Sequence, residues 1–227
     1  FFYMNFKFLL ALCLLVFVLG CKSEPTIVIS FDVEFPVGVG FPEQFTEEQK
    51  SALTPNEVQW EKALNRINEI GIKHNIKFQF NVVGMTAELN PKLIENVSIN
   101  HDISCHSYSH KKQGDLTSSK AFLELKRCKE ALEHILGIEI TGNRFPYTNY
   151  TDQSFKDLKD LGYNWDSSVW QTKDLLFPSY YQGITEYPLG SSTTDWDYFI
   201  KEGKTDTDGF FLILDKYISE LSQEQVY

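Results

Sequence analysis

Two hydrophobic rhythms alternate along the chain. TIVIS (26–30) and KFQFNVV (77–83) are short apolar runs bounded by turn-forming residues, which predicts buried strands. Between them Trp60, Ala63, Leu64 and Ile67 recur at helical spacing and predict an amphipathic helix. Thr54-Pro55-Asn56-Glu57 reads as its capping box, with Pro55 at the first helical position, and Gly71 reads as its stop. A second stripe, Ala121, Leu125, Cys128, Leu132 and Ile135, predicts a helix over 118–136. Shorter helices are predicted at PKLIENV and over 152–161, with a strand at DISC and further strands near 138–145, 163–169, 184–189 and 210–215. Strands alternating with helices over the whole length imply a mostly parallel α/β sheet, either open or closed into a barrel. Functional groups in such folds gather at the carboxyl ends of the strands, and SFDVE, HSYSH, RFPY and WDSS all fall there.

Composition narrows the picture modestly. A chain of 227 residues with 42% hydrophobic and 23% charged residues has the make-up of one globular domain. Its net charge of −10 and the lack of a basic stripe argue against a nucleic-acid partner. The N-terminus says more. Lys7 precedes the apolar run FLLALCLLVFVLG, which has the length of a signal-peptide core rather than of a membrane span. Val18-Leu19-Gly20-Cys21 resembles a bacterial lipobox. The expected organisation is therefore a lipoprotein-type signal peptide over 1–20, a lipidated Cys21 with a short linker to residue 25, and one domain over 26–227. An ordinary signal peptide or an uncleaved anchor is the alternative. Cys105 and Cys128 would then lie in an oxidising compartment, as a disulfide or as two buried thiols.

The candidate chemistry starts from Asp32 and Glu34. Alternation along a strand places both carboxylates on one face, which is costly unless they share a cation or a proton. Alone, Asp-x-Glu describes many solvated turns, and HSYSH alone describes many polar loops. Together, His106, His110 and a carboxylate supply the donor set of a catalytic metal site. A helical HSYSH would put both imidazoles on one face.

SFDVE, HSYSH, RFPY and DSS, in this order, resemble the motifs of the polysaccharide deacetylases of carbohydrate esterase family 4, over about residues 26–217. The resemblance implies a distorted (β/α) barrel of about seven parallel strands in a single domain. It implies that Glu34, His106 and His110 hold a divalent metal, zinc first among them. Asp32 would be the general base, Arg144 would keep it ionised and aimed, and the backbone N–H of Tyr147 would help to stabilise the oxyanion. The family's last motif normally supplies a histidine as general acid, but here FFLILDKY presents Asp215. The expectation is that Asp166 and Asp215 share a proton and replace that histidine. Thr148 stands where the family often has glycine. Phe35, Pro146, Trp165 and Trp170 are expected along a substrate groove, with core packing as the other fate of the tryptophans. The implied activity is removal of acetyl groups from an N-acetylated cell-envelope or exported polysaccharide, by a chain held to the membrane through lipid on Cys21. The rivals are a glycan-binding member without activity and a small-molecule amide hydrolase of the same fold.

Overall fold

The computed structural model describes residues 28–35, 56–172, 178–190, 194–204, 206, 208–209, 211–213 and 216. The leader, Cys21, most of the 35–53 loop and Asp215 lie outside the described residues. The chain divides into two units, and the one described here is Val28–Leu214.

Seven strands form one sheet: β1 (Ser30–Val33), β2 (Gln79–Val82), β3 (Asp102–Cys105), β4 (Gly142–Asn143), β5 (Trp165–Asp166), β6 (Ser179–Tyr181) and β7 (Ile184–Glu186). Their order is β1-β2-β3-β4-β5-β7-β6. All neighbours pair in parallel except β6 and β7, which are antiparallel. The mostly parallel sheet expected from the alternation of strands and helices is thus present, with that one antiparallel pair. Gln182 and Gly183 both have positive φ (49° and 91°), the backbone of a two-residue hairpin. Such a turn leaves no room for the crossover that a parallel pair needs. Among the described residues the sheet is open, with β1 and β6 at its edges.

Among the described residues, five α-helices precede β6: α1 (Glu57–His74), α2 (Gly84–Leu89), α3 (Pro91–Ser98), α4 (Ser118–Leu136) and α5 (Asp152–Asp160). The start of α1 lies two residues later than expected. Asn56 is its cap, accepting the Gln59 N–H at 2.9 Å, while Gln59 Oε1 accepts the Asn56 N–H at 3.0 Å. Gly71 does not end the helix, which runs on to a left-handed Asn75. Its glycine answers to packing, because a Cβ there would run into the His101 ring. The run near 210–215 is not a strand at the described positions, since residues 211–213 are helical. A short apolar run does not by itself separate the two states.

Alternation divides the strands. Phe31, Phe80, Val82, Ile103 and Cys105 join the hydrophobic core, together with Leu125, Cys128 and Leu132 from α4. Phe80, Val82, Leu125 and Leu132 are fully buried, and each such side chain contributes roughly 1.5–3 kcal/mol. Cys105 and Cys128 are free, buried thiols, and Cys128 Sγ donates to Val82 O at 3.6 Å. The opposite positions are polar, and Asn81 and Ser104 among them are equally buried. Ser104 Oγ donates to Asn81 Oδ1 at 2.6 Å, and Asn81 Nδ2 donates to Asp32 Oδ1 at 2.7 Å. This ladder runs across three strands and ends at the candidate base.

Candidate active site

β1 delivers Asp32 from within the strand and Glu34 just beyond it, while β3 runs directly into the histidine loop. The loop is not helical. Ser107 and His110 both take positive φ (54° and 57°), and this turn brings the two imidazoles together, with ring centroids 5.1 Å apart. Bulky residues adopt that conformation only where the surroundings hold them in it. Several bonds do so here. Ser107 Oγ accepts the His110 N–H at 3.0 Å, and Ser107 O and Tyr108 O accept the N–H groups of Gly84 and Met85 at the start of α2. Ser109 donates twice to Glu124 of α4, both times at 2.7 Å.

Ligand atoms of Glu34, His106 and His110 lie within 4.8 Å of one another. His106 Nε2 is 3.3 Å and His110 Nε2 3.1 Å from Glu34 Oε1. His106 Nδ1 stands 2.8 Å from the carbonyl oxygen of Arg144. A carbonyl can only accept, so Nδ1 carries a proton, and Nε2 is the nitrogen that faces Glu34. Nδ1 of buried His110 has no hydrogen-bond partner among the described residues. Burial alone would raise the Glu34 carboxyl, but His106 and His110 outweigh it and bring its pKa down to about 2. His106 is raised in turn, because Asp32 and Glu34 overcome the cost of its burial. An ionised carboxylate and two convergent imidazole nitrogens, one steered by a backbone carbonyl, fit a divalent cation with nitrogen and oxygen ligands.

Asp32 lies beside this set. Its Oδ2 is 3.8 Å from His106 Nε2, and its Oδ1 accepts from Arg144 Nη1 at 3.3 Å. Arg144 is nearly buried and is clamped by the turn after β5, with Nε donating to Ser167 O at 2.8 Å and Nη2 to Ser167 Oγ at 3.0 Å. Tyr147, at φ 57°, stacks its ring on His110 at 4.7 Å. The backbone bonds of that turn run from Thr148 N to Phe145 O and from Asn149 N to Pro146 O, leaving the Tyr147 N–H outside them.

The structure separates the expected groove residues. Trp170 is 39% exposed, and its Nε1 donates to Thr148 Oγ1 at 3.0 Å, so the threonine fixes the indole beside the mouth. Pro146 is buried, and half-buried Phe35 stacks on Trp60 at 5.3 Å. Trp165 is a correction. It precedes Asp166 in β5 and so takes the opposite face, against Gly142, where a Cβ would meet its ring.

Asp166 is fully buried, and Asn143 Nδ2 donates to its Oδ1 at 2.7 Å. Burial and the neighbouring Glu186 push its carboxyl well above the usual range. The carboxyl paired with it among the described residues is Glu186, its register partner on β7, while the expected partner Asp215 lies outside the described residues. Sequence reasoning missed Glu186, Asn81, Ser104, Asn143 and Ser168. For Asn81 the signal was present in KFQFNVV, whose polar positions alternate with aromatic ones.

The family Polysaccharide deacetylase matches residues 20–165, more than half of the chain. The chain belongs to the polysaccharide deacetylase family, hydrolases that remove acetyl groups from carbohydrates. A Mycobacterium smegmatis structure assigned to the polysaccharide deacetylases superposes with a TM-score of 0.64 at 20% identity, covering 86% of this chain and 72% of that one. It shares the α/β fold. Peptidoglycan deacetylase PdaC from Bacillus subtilis matches at TM-score 0.46 and 20% identity, over 62% of this chain and 58% of its own. A carbohydrate esterase family 4 pseudoenzyme from Bacillus anthracis matches at 0.44 and 24%, over 45% and 37%. No curated protein matches the chain.

Proposed function

We propose that this protein is a metal-dependent deacetylase that hydrolyses acetyl groups from an N-acetylated polysaccharide of the cell envelope or of an exported glycan. One observation carries the reading: the donors of Glu34, His106 and His110 converge within 4.8 Å beside an Asp32 that is paired with Arg144. A structural barrel would have no use for that arrangement, since buried charge is costly unless paired. Two imidazoles and a carboxylate favour zinc over magnesium or calcium, which prefer all-oxygen sites. The cation would supply Lewis acidity, polarising the acetamide carbonyl and acidifying water.

The protein's own groups do the rest. Asp32 accepts the proton of the attacking water, and Arg144 holds Asp32 in place. The Tyr147 N–H donates to the oxygen that gains charge as the carbonyl becomes tetrahedral. Trp170, held by Thr148, offers an exposed aromatic face to a sugar ring. The lipobox-like Val18–Cys21 supports a lipid anchor at a bacterial membrane, on the periplasmic or cell-surface side.

The test is metal content of the purified protein beside His110→Ala, followed by acetate release from N-acetylated glycans. Close to one divalent ion per chain, lost in the variant, together with acetate release, supports the reading. No metal after zinc is offered would overturn it. Asp215, standing where the family carries a histidine, favours a second reading, a glycan-binding protein without activity. Glycan binding with bound metal and no acetate release would select that alternative.

A further inference from the structure

Glu186, the last residue of β7, is 2% exposed and begins a chain of hydrogen bonds that ends at Asp32. Its Oε1 accepts the backbone N–H groups of Ser168 at 3.0 Å and Val169 at 2.9 Å. Those two bonds fix the turn after β5. The same turn presents Ser167 O and Oγ to Arg144, and Ser168 Oγ accepts the Phe145 N–H at 2.8 Å. Both residues of the Arg144-Phe145 dipeptide are therefore bonded to a turn that Glu186 holds. Arg144, once seated, directs Nη1 at Asp32 Oδ1.

The second oxygen of Glu186 explains how a buried carboxylate is tolerated there. Glu186 Oε2 and Asp166 Oδ2 are both buried without a hydrogen-bond partner, and the two residues face each other across adjacent strands. One proton held between these oxygens would satisfy both and leave the pair with a single negative charge. Arg144, whose charge favours the ionised form of Glu186, balances it. Tyr150 is the other titratable group that feels both carboxyls, and it is neutral at ordinary pH, since burial and these neighbours raise it.

We propose that Glu186 is a positioning residue, which acts through the 167–169 turn to aim Arg144 at Asp32. The kinetic consequence rests on the deacetylase reading, but the positioning does not, so the experiment has one arm for each. Glu186→Met keeps the volume and removes both acceptors, whereas Glu186→Gln keeps an oxygen for the two N–H groups. The first arm reads hydrogen exchange of the Arg144 Nε–H by 15N NMR and needs no substrate. Exchange should accelerate by about tenfold or more in Glu186→Met and stay near wild type in Glu186→Gln. The second arm reads acetate release, where Glu186→Met should lower kcat by about 10²-fold with little change in KM or metal content, and Glu186→Gln should restore it.

Unchanged Arg144 exchange in folded Glu186→Met overturns the proposal, as does a Glu186→Gln protein as impaired as the Met variant. If wild-type protein releases no acetate, the deacetylase reading fails and the exchange arm alone decides the positioning role. If Glu186→Met does not fold, Glu186→Gln decides, with wild-type exchange supporting the proposal and accelerated exchange overturning it.

Discussion

Glu34 and Asp166 are carboxyl groups at the ends of strands in one sheet, yet their surroundings drive them in opposite directions. Glu34 faces two imidazoles, which outweigh its burial and hold its pKa near 2, so it is an anion ready for a cation. Asp166 faces another carboxyl in a fully buried setting and is pushed well above the usual range, so it keeps a proton. The difference shows how one scaffold assigns two jobs to one functional group. The β1–β3 side of the site carries the proposed ligands and base, and the β5–β7 side carries the carboxyl pair proposed to seat an arginine.

The largest expected effect falls on the first side. Glu34→Ala removes the carboxylate from the Glu34, His106 and His110 set, and both stoichiometric metal binding and acetate release should disappear. Metal analysis after dialysis against zinc checks it, and a variant that retains one tightly held ion would break the assignment. Next comes Asp32→Asn, which should lower kcat by about 10²–10⁴-fold while leaving the metal in place. That split between metal content and rate separates the base from the ligands. Loss of both together would make Asp32 a ligand instead.

The second side should show itself in stability rather than in rate. The folded protein keeps a proton on the Asp166–Glu186 pair that the unfolded chain releases above the ordinary carboxyl pKa. With more protons bound folded than unfolded, stability falls as pH rises from the ordinary carboxyl range through the raised one. Asp166→Asn supplies a permanent donor to Glu186 and should flatten that part of the curve. Urea unfolding between mildly acidic and neutral pH measures it, and an unchanged slope in the variant would place the proton elsewhere.

How much of this was legible depends on which physical signal each residue leaves. The two long helices show clearly in their stripes, and α4 has the expected bounds because nothing in its sequence competes with the period. The histidines, Asp32, Glu34 and Arg144 stand out because their chemistry is scarce and their motifs are ordered. The conformation of HSYSH did not show, since only the bonds from Ser107 and Glu124 make positive φ acceptable there. Asn81, Ser104 and Glu186 were hidden for another reason. Polar residues alternating with apolar ones usually mark a strand with one face in water, and here that face is the buried interior of the sheet. Nothing local in ITEY distinguishes a glutamate that anchors a turn from one that meets solvent. Gly71 was misread because glycine serves equally as a helix stop and as a seat for a neighbouring ring.

The smallest expected effect serves as the control for both sides. Asn56 caps α1 from an exposed position, and it belongs to neither the metal-holding side nor the carboxyl pair. Asn56→Ala removes the acceptor for the Gln59 N–H and should cost about 1 kcal/mol of stability. Metal content, kcat and the pH slope should all stay as in the wild type, since none of their groups bonds to the cap. Thermal unfolding beside the acetate assay checks this. A drop in rate matching that of Asp32→Asn would mean that activity follows general stability, and the contrast between the two sides of the site would then lose its basis.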